Sequence, residues 1–110
     1  MLDVDRNGVA DVATDIVYIA RRLLGLPPVP SSFRTLDPSI ISDSTIAAGV
    51  DALGTRLDVD GNGQVDVATD VVYVSRVLLG LPAVPGSFRV LNPSIPSDAT
   101  IKANVTALCQ

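Results

Sequence analysis

The sequence predicts an all-α fold of two tandem 55-residue repeats packed on one shared core. Each repeat reads as an acidic loop feeding a long helix, then a proline-rich extended connector and a short helix. Three observations predict this. Offsetting the chain by 55 residues aligns 2–55 with 57–110 without a gap, and 36 of the 54 pairs are identical; self-similarity at a fixed period is the signature of a repeat architecture. Apolar residues recur at helical spacing after each acidic segment. All eight prolines fall in the two connectors, which leaves the helical segments uninterrupted. With 110 residues, 47% of them hydrophobic, the chain is expected to fold as one compact domain, 1–110, made of repeat one (2–55) and repeat two (57–110).

The elements follow in order. The long helix is "DVATDIVYIARRLLG" in the first copy and "DVATDVVYVSRVLLG" in the second. Val12, Ile16, Ile19 and Leu23 form one stripe, repeated by Val67, Val71, Val74 and Leu78. A second stripe, Ala13, Val17 and Leu24, with Ala68, Val72 and Leu79, makes the helix apolar nearly all round, so both long helices are expected at the centre of the core. Tyr18 and Tyr73 read as core-edge aromatics, and Arg21 and Arg76 as carbonyl-capping or snorkelling residues. Gly25 and Gly80 suit a left-handed C-terminal cap, and Pro27 and Pro82 forbid continuation. The connectors, "LPPVPSSFRTLDPSII" and "LPAVPGSFRVLNPSIP", are expected to be extended, with Phe33 and Phe88 as anchors. Ser42 and Ser97 are N-cap candidates, and Asp43 and Asp98 fall in the first turn. Ile46, Val50 and Leu53, repeated by Ile101, Val105 and Leu108, give each short helix one apolar side.

Charge narrows the function classes. The net charge is −4, and all twelve acidic residues are aspartates, which is no footprint for nucleic acid. No run approaches the roughly 18 apolar residues that would favour membrane insertion. Without histidine or glutamate, and with no nucleophile–base pair, the chain does not read as an enzyme. Cys109 is the only cysteine, matched by Gly54 in the first copy, so the repeat requires no thiol there. Opening directly on its acidic motif, the chain reads as part of a longer protein.

Eight aspartates fall in two short segments: Asp3, Asp5, Asp11 and Asp15, then Asp58, Asp60, Asp66 and Asp70. Such crowding is repulsive unless a cation reverses its sign, and oxygen-only ligands point to Ca²⁺. In "LDVDGNGQVDVATD", Asp58, Asp60 and Asn62 take loop positions 1, 3 and 5, and Gly63 takes the sharp turn at 6. Gln64 offers its carbonyl at 7 and Asp66 a direct or water-mediated contact at 9. Asp3, Asp5, Asn7, Gly8, Val9 and Asp11 repeat those roles. Two Ca²⁺ ions, one per loop, are therefore expected. The bland alternative is solvated turn residues. It weakens because both copies keep every ligand while Arg6/Gly61, Val9/Gln64 and Ala10/Val65 vary. Position 12, commonly a bidentate Glu, is Thr14 or Thr69, and an acid follows as Asp15 or Asp70. Asp11 and Asp15, four apart, share a helix face, so Asp15 and Asp70 are the expected closing carboxylates, with the threonines as fallback.

These residues resemble the EF-hand-like calcium loops of type I dockerin repeats, and the "LDVDGNGQVDVATDVVYVSRVLLG" type of repeat in large secreted or surface proteins of bacteria. The resemblance covers the loop and following helix of each copy. It implies a calcium-stabilised, all-helical structural module of an extracellular or cell-surface bacterial protein, with neighbouring repeats as partners. Its alternative is a dockerin-like docking module binding a cohesin-like protein. Two features depart from the dockerin pattern: the loops stand 55 residues apart, and the closing acid is displaced by one. Dockerins bind partners through residues early in the helix; the matching residues here are Val12 and Ala13, with Val67 and Ala68, which helix periodicity assigns to the core.

Overall fold

The structure, a computed structural model, describes residues 2–108, so the expectation for Cys109 lies outside the described residues. The chain divides into two compact units, Met1–Gly54 and Thr55–Gln110. Among the described residues every regular element is helical and no strand forms.

In the first unit the acidic loop leads into a wide π-type turn, Val12–Ile16, that continues as α1, Val17–Leu23. Then come α2, Ser31–Leu36, and α3, Asp43–Leu53. A 3-10 turn, Gly54–Leu57, precedes the second acidic loop. There the π-type turn is Val67–Val71, followed by α4, Val72–Leu78, α5, Gly86–Leu91, and α6, Asp98–Leu108.

The helix ends are as local chemistry dictates. Gly25 has φ 78° and Gly80 φ 77°. Leu26 N–H donates to the Arg21 carbonyl (2.9 Å) and Gly25 N–H to that of Arg22 (3.0 Å), which is the paired Schellman arrangement. Arg21 caps in turn, its Nε donating to the Pro27 carbonyl at 2.8 Å, as Arg76 does to Pro82 at 2.7 Å. Ser42 Oγ accepts from Thr45 N–H (3.3 Å) and Ser97 Oγ from Thr100 N–H (3.2 Å), so both are N-caps. The short-helix stripes, Ile46/Val50/Leu53 and Ile101/Val105/Leu108, are all buried.

The connectors are not extended throughout. Between Pro30 and Pro38 the proline-free stretch closes into α2: Phe33 N–H donates to the Pro30 carbonyl (3.0 Å) and Asp37 N–H to that of Phe33 (2.8 Å). Proline tolerates the first turn of a helix, where its missing N–H has no partner to lose. The helix stops at Asp37, because the residue before a proline is pushed out of the helical region; its φ is −138°. α5 repeats this between Pro85 and Pro93.

The long helices are also less enclosed than their composition predicts. Ile16, Tyr18 and Ile19 are buried, but Ala13, Leu23 and Leu24 are exposed. The buried side keeps Ile16 and Ile19 from the expected stripe and adds Asp15 and Tyr18. Tyr18 and Tyr73 are not core-edge residues: each is 0% exposed, and each ring meets the edge of Phe33 or Phe88 with centroids 6.0 and 6.1 Å apart.

Candidate metal centre

Each acidic loop folds around its own carboxylates. Gly8 N–H donates to Asp3 Oδ2 (2.8 Å), Asn7 N–H to Asp3 Oδ1 and Asp5 Oδ1 (3.2 Å each), and Val9 N–H to Asn7 Oδ1 (3.0 Å). The second loop repeats this: Gly63 to Asp58 Oδ2 (2.9 Å), Asn62 to Asp58 and Asp60 (3.2 Å each), and Gln64 to Asn62 Oδ1 (2.9 Å). The turn this requires has φ 92° at Gly8 and 88° at Gly63, which only glycine takes without strain.

Asp15 closes the first loop from the far side. Its Oδ1 accepts from Asp5 N–H (3.2 Å) and its Oδ2 from Asp11 N–H (2.9 Å). Asp70 does the same with Asp60 N–H (3.3 Å) and Asp66 N–H (2.9 Å). Each of these acids stands one residue later than the common loop pattern places its closing carboxylate. The π turn accounts for the offset. Ile16 N–H reaches back to the Asp11 carbonyl and Val71 N–H to that of Asp66, at 3.3 Å each, so the first turn takes up one residue more than an α turn.

The outcome is two triads of carboxylates, Asp3/Asp5/Asp15 and Asp58/Asp60/Asp70, each offering oxygens that all lie within 4.8 Å of one another. Asp15 and Asp70 are 0% and 1% exposed. Two unit charges at that separation repel by roughly 3 kcal/mol even at an effective dielectric constant near 20, so three ionised carboxylates do not coexist there without a counter-charge. Burial first, then hydrogen bonding to Asp3 and the charge of Asp15, pushes the Asp5 carboxyl up to about 7. Burial first, then hydrogen bonding to Asp58, pushes Asp60 to about 6. Asp15 and Asp70 are raised as well, chiefly by burial and against the N–H bonds they accept. Such a cluster holds either shared protons or a metal ion, and hard oxygen donors fit a hard cation.

Not every residue expected at the site enters the triads. Asp11 caps the exiting helix instead, its Oδ1 accepting from Ala13 N–H at 2.9 Å, and Asp66 lies outside the second triad. Asn7 and Asn62 stand on the loops through the bonds above, as do Val9 and Gln64 through their N–H groups. Thr14 Oγ1 and Thr69 Oγ1 are buried with no hydrogen-bond partner. Ala13 and Ala68, assigned to the core by periodicity, are exposed.

Two residues beside the centres were not singled out as site residues. The hydroxyls of Tyr18 and Tyr73 are buried without a partner, a cost of about 1–3 kcal/mol each. Burial pushes both phenols up, and the charges of Asp5 and Asp15, or Asp60 and Asp70, act next on them. Their signal in the sequence was position: one tyrosine in each copy, three residues after the closing aspartate.

Comparison with models of protein families, with curated proteins and with solved structures found no match to this chain.

Proposed function

We propose that this chain is a calcium-binding structural repeat module of a larger extracellular or cell-surface bacterial protein, one Ca²⁺ ion per acidic loop, with no catalytic role. The observation that carries this reading is the pair of carboxylate triads, each with one fully buried member. Asp3, Asp5 and Asp15, with Asp58, Asp60 and Asp70, are the charged ligands; Asn7 and Asn62, with the Val9 and Gln64 carbonyls, supply neutral oxygens, and Asp11 and Asp66 an outer contact. Ca²⁺ accepts the high ligand number and loose geometry such loops offer, whereas Mg²⁺ demands a tight octahedron. Extracellular modules bind with Kd about 10⁻⁴–10⁻³ M, matched to calcium-rich surroundings, and binding energy then becomes folding energy. Thermal melts with and without EDTA test the reading: chelation is expected to lower the Tm, and identical curves would overturn it.

A specific observation favours a second reading, a docking module. Leu36, Leu91 and Val90 are 86%, 85% and 81% exposed, and Ala13 and Ala68, at the positions matching dockerin contacts, also face outward. Among the described residues no helix is long and apolar enough to cross a membrane. Under this reading a purified cohesin-type domain co-elutes with the chain, and Leu36→Ser with Leu91→Ser abolishes the complex while sparing calcium binding. Separate elution of the intact chain would dismiss it.

A further inference from the structure

We propose that Tyr18 and Tyr73 are the outer-sphere donors of the two acidic centres, each hydroxyl giving its hydrogen to a carboxylate once a divalent cation is held: Tyr18 to Asp5 and Tyr73 to Asp60. The inference rests on the reading of the triads as cation centres and adds to it two residues that no loop pattern contains.

Each tyrosine leaves a hydrogen bond unmade. Tyr18 is 0% exposed and its Oη has no partner among the described residues, and Tyr73 repeats both facts. A buried phenol is ordinarily hydrogen-bonded or packed with its polar tip in water. The same exception at two positions 55 residues apart points to a shared partner that both sites acquire.

Each tyrosine shares a cleft with its acidic loop. Tyr18 and Asp5 line one cleft of about 280 Å³, and Tyr73 and Asp60 line one of about 320 Å³. Among side-chain charges, those of Asp5 and Asp15 act most strongly on Tyr18, and those of Asp60 and Asp70 on Tyr73. Of the triad carboxylates, Asp5 and not Asp15 lines the cleft with Tyr18, and Asp60 and not Asp70 the cleft with Tyr73. Asp5 is therefore the acceptor within reach of the shared cleft, and Asp60 is its counterpart. A cation on the triad keeps that carboxylate ionised, which makes the bond charge-assisted and short. Outer-sphere donors of this kind orient a ligand and set its basicity.

The chain carries its own reporter, because Tyr18 and Tyr73 are its only tyrosines and it has no tryptophan. Metal-stripped chain titrated with CaCl₂ is expected to show a red shift in tyrosine absorption and a change in emission that track calorimetric binding. Tyr18→Phe is expected to remove about half of that signal and to weaken one of two sites on the order of tenfold. It leaves the Tm in EDTA unchanged or raised, since the hydroxyl it deletes has no partner there. Calcium binding with a silent tyrosine spectrum overturns the proposal and leaves the cation centres standing. So does a Tyr18→Phe chain that binds as tightly as the parent, or one whose loss of stability is the same in EDTA as in calcium. Failure of the parent chain to bind calcium removes both readings.

Discussion

Asp15 is fully buried with both carboxylate oxygens engaged, and burial, more than any one charge, sets how the first centre responds to protons. Asp5 beside it is held up at about 7, and Asp60 in the second loop at about 6, against about 3.9 for aspartate in an unfolded chain. Between those values the folded chain binds more protons than the unfolded one, so stability in chelator is greatest near pH 4 and falls as pH rises through about 6 to 7. Denaturant midpoints in EDTA across that window check this, and a midpoint that climbs with pH contradicts it. Calcium is expected to flatten the decline by taking the place of the proton. The identity of the closing ligand is a second matter at this scale. Exchanging the two candidates, Thr14→Asp with Asp15→Thr, keeps composition and charge but turns the carboxylate away from the loop. Calorimetry of the exchanged chain is expected to lose at least tenfold in affinity at one of two sites, consistent with loss of a metal-orienting group; retained affinity would restore Thr14 as the closing position.

Among the elements, the π turn and the α2 helix do what periodicity did not foresee. The π turn absorbs the displaced acid, and along the helix that follows Tyr18 is buried while Leu24 is exposed. α2 presents Arg34, whose guanidinium gathers three acceptors: the Ile40 and Ile41 carbonyls at 3.0 Å and Asp43 Oδ1 at 2.8 Å. Arg89 repeats this with Ile95, Pro96 and Asp98. Each arginine ties its connector to the start of the following helix, and charge-assisted bonds of this kind outweigh neutral ones. The guanidiniums remain one-third exposed at 33%, which discounts the pairing. Arg34→Ala is expected to cost about 1–2 kcal/mol by denaturant unfolding of the calcium-loaded chain. Arg22→Ala makes the comparison, because its pair with Asp51 is 42% and 57% exposed and screened by solvent, so a smaller loss is expected. Equal losses in the two variants would deny the tether its role.

At the scale of the whole chain, the −4 net charge is less telling than where the acids lie. Six aspartates form the two triads, which concentrates like charge that a shared proton or a bound cation would relieve. Mass action sets the size of the response. With Kd in the extracellular range, calcium at about 10–100 times Kd stabilises each site by about 1.4–2.7 kcal/mol. Two equivalents by calorimetry and a Tm that keeps rising with the logarithm of calcium concentration are the expected result. A plateau at one equivalent would leave one triad as a proton-sharing cluster.

The sequence alone determined what depends on neighbours within a turn or two. The glycine in each loop, the Gly25 and Gly80 caps and the Ser42 and Ser97 caps all rest on contacts no more than five positions apart. Backbone geometry fixes such contacts wherever the segment lies. α2 belongs to the same local class and could have been found: Pro30 and Pro38 bracket a proline-free stretch long enough for a turn and a half. Tertiary structure decided the rest. Whether Tyr18 is rim or core and whether Leu23 and Leu24 are covered depend on what stands opposite. A helix apolar on every side does not encode that choice. Burial of a side chain is settled by its partners across the fold, and those lie far along the chain.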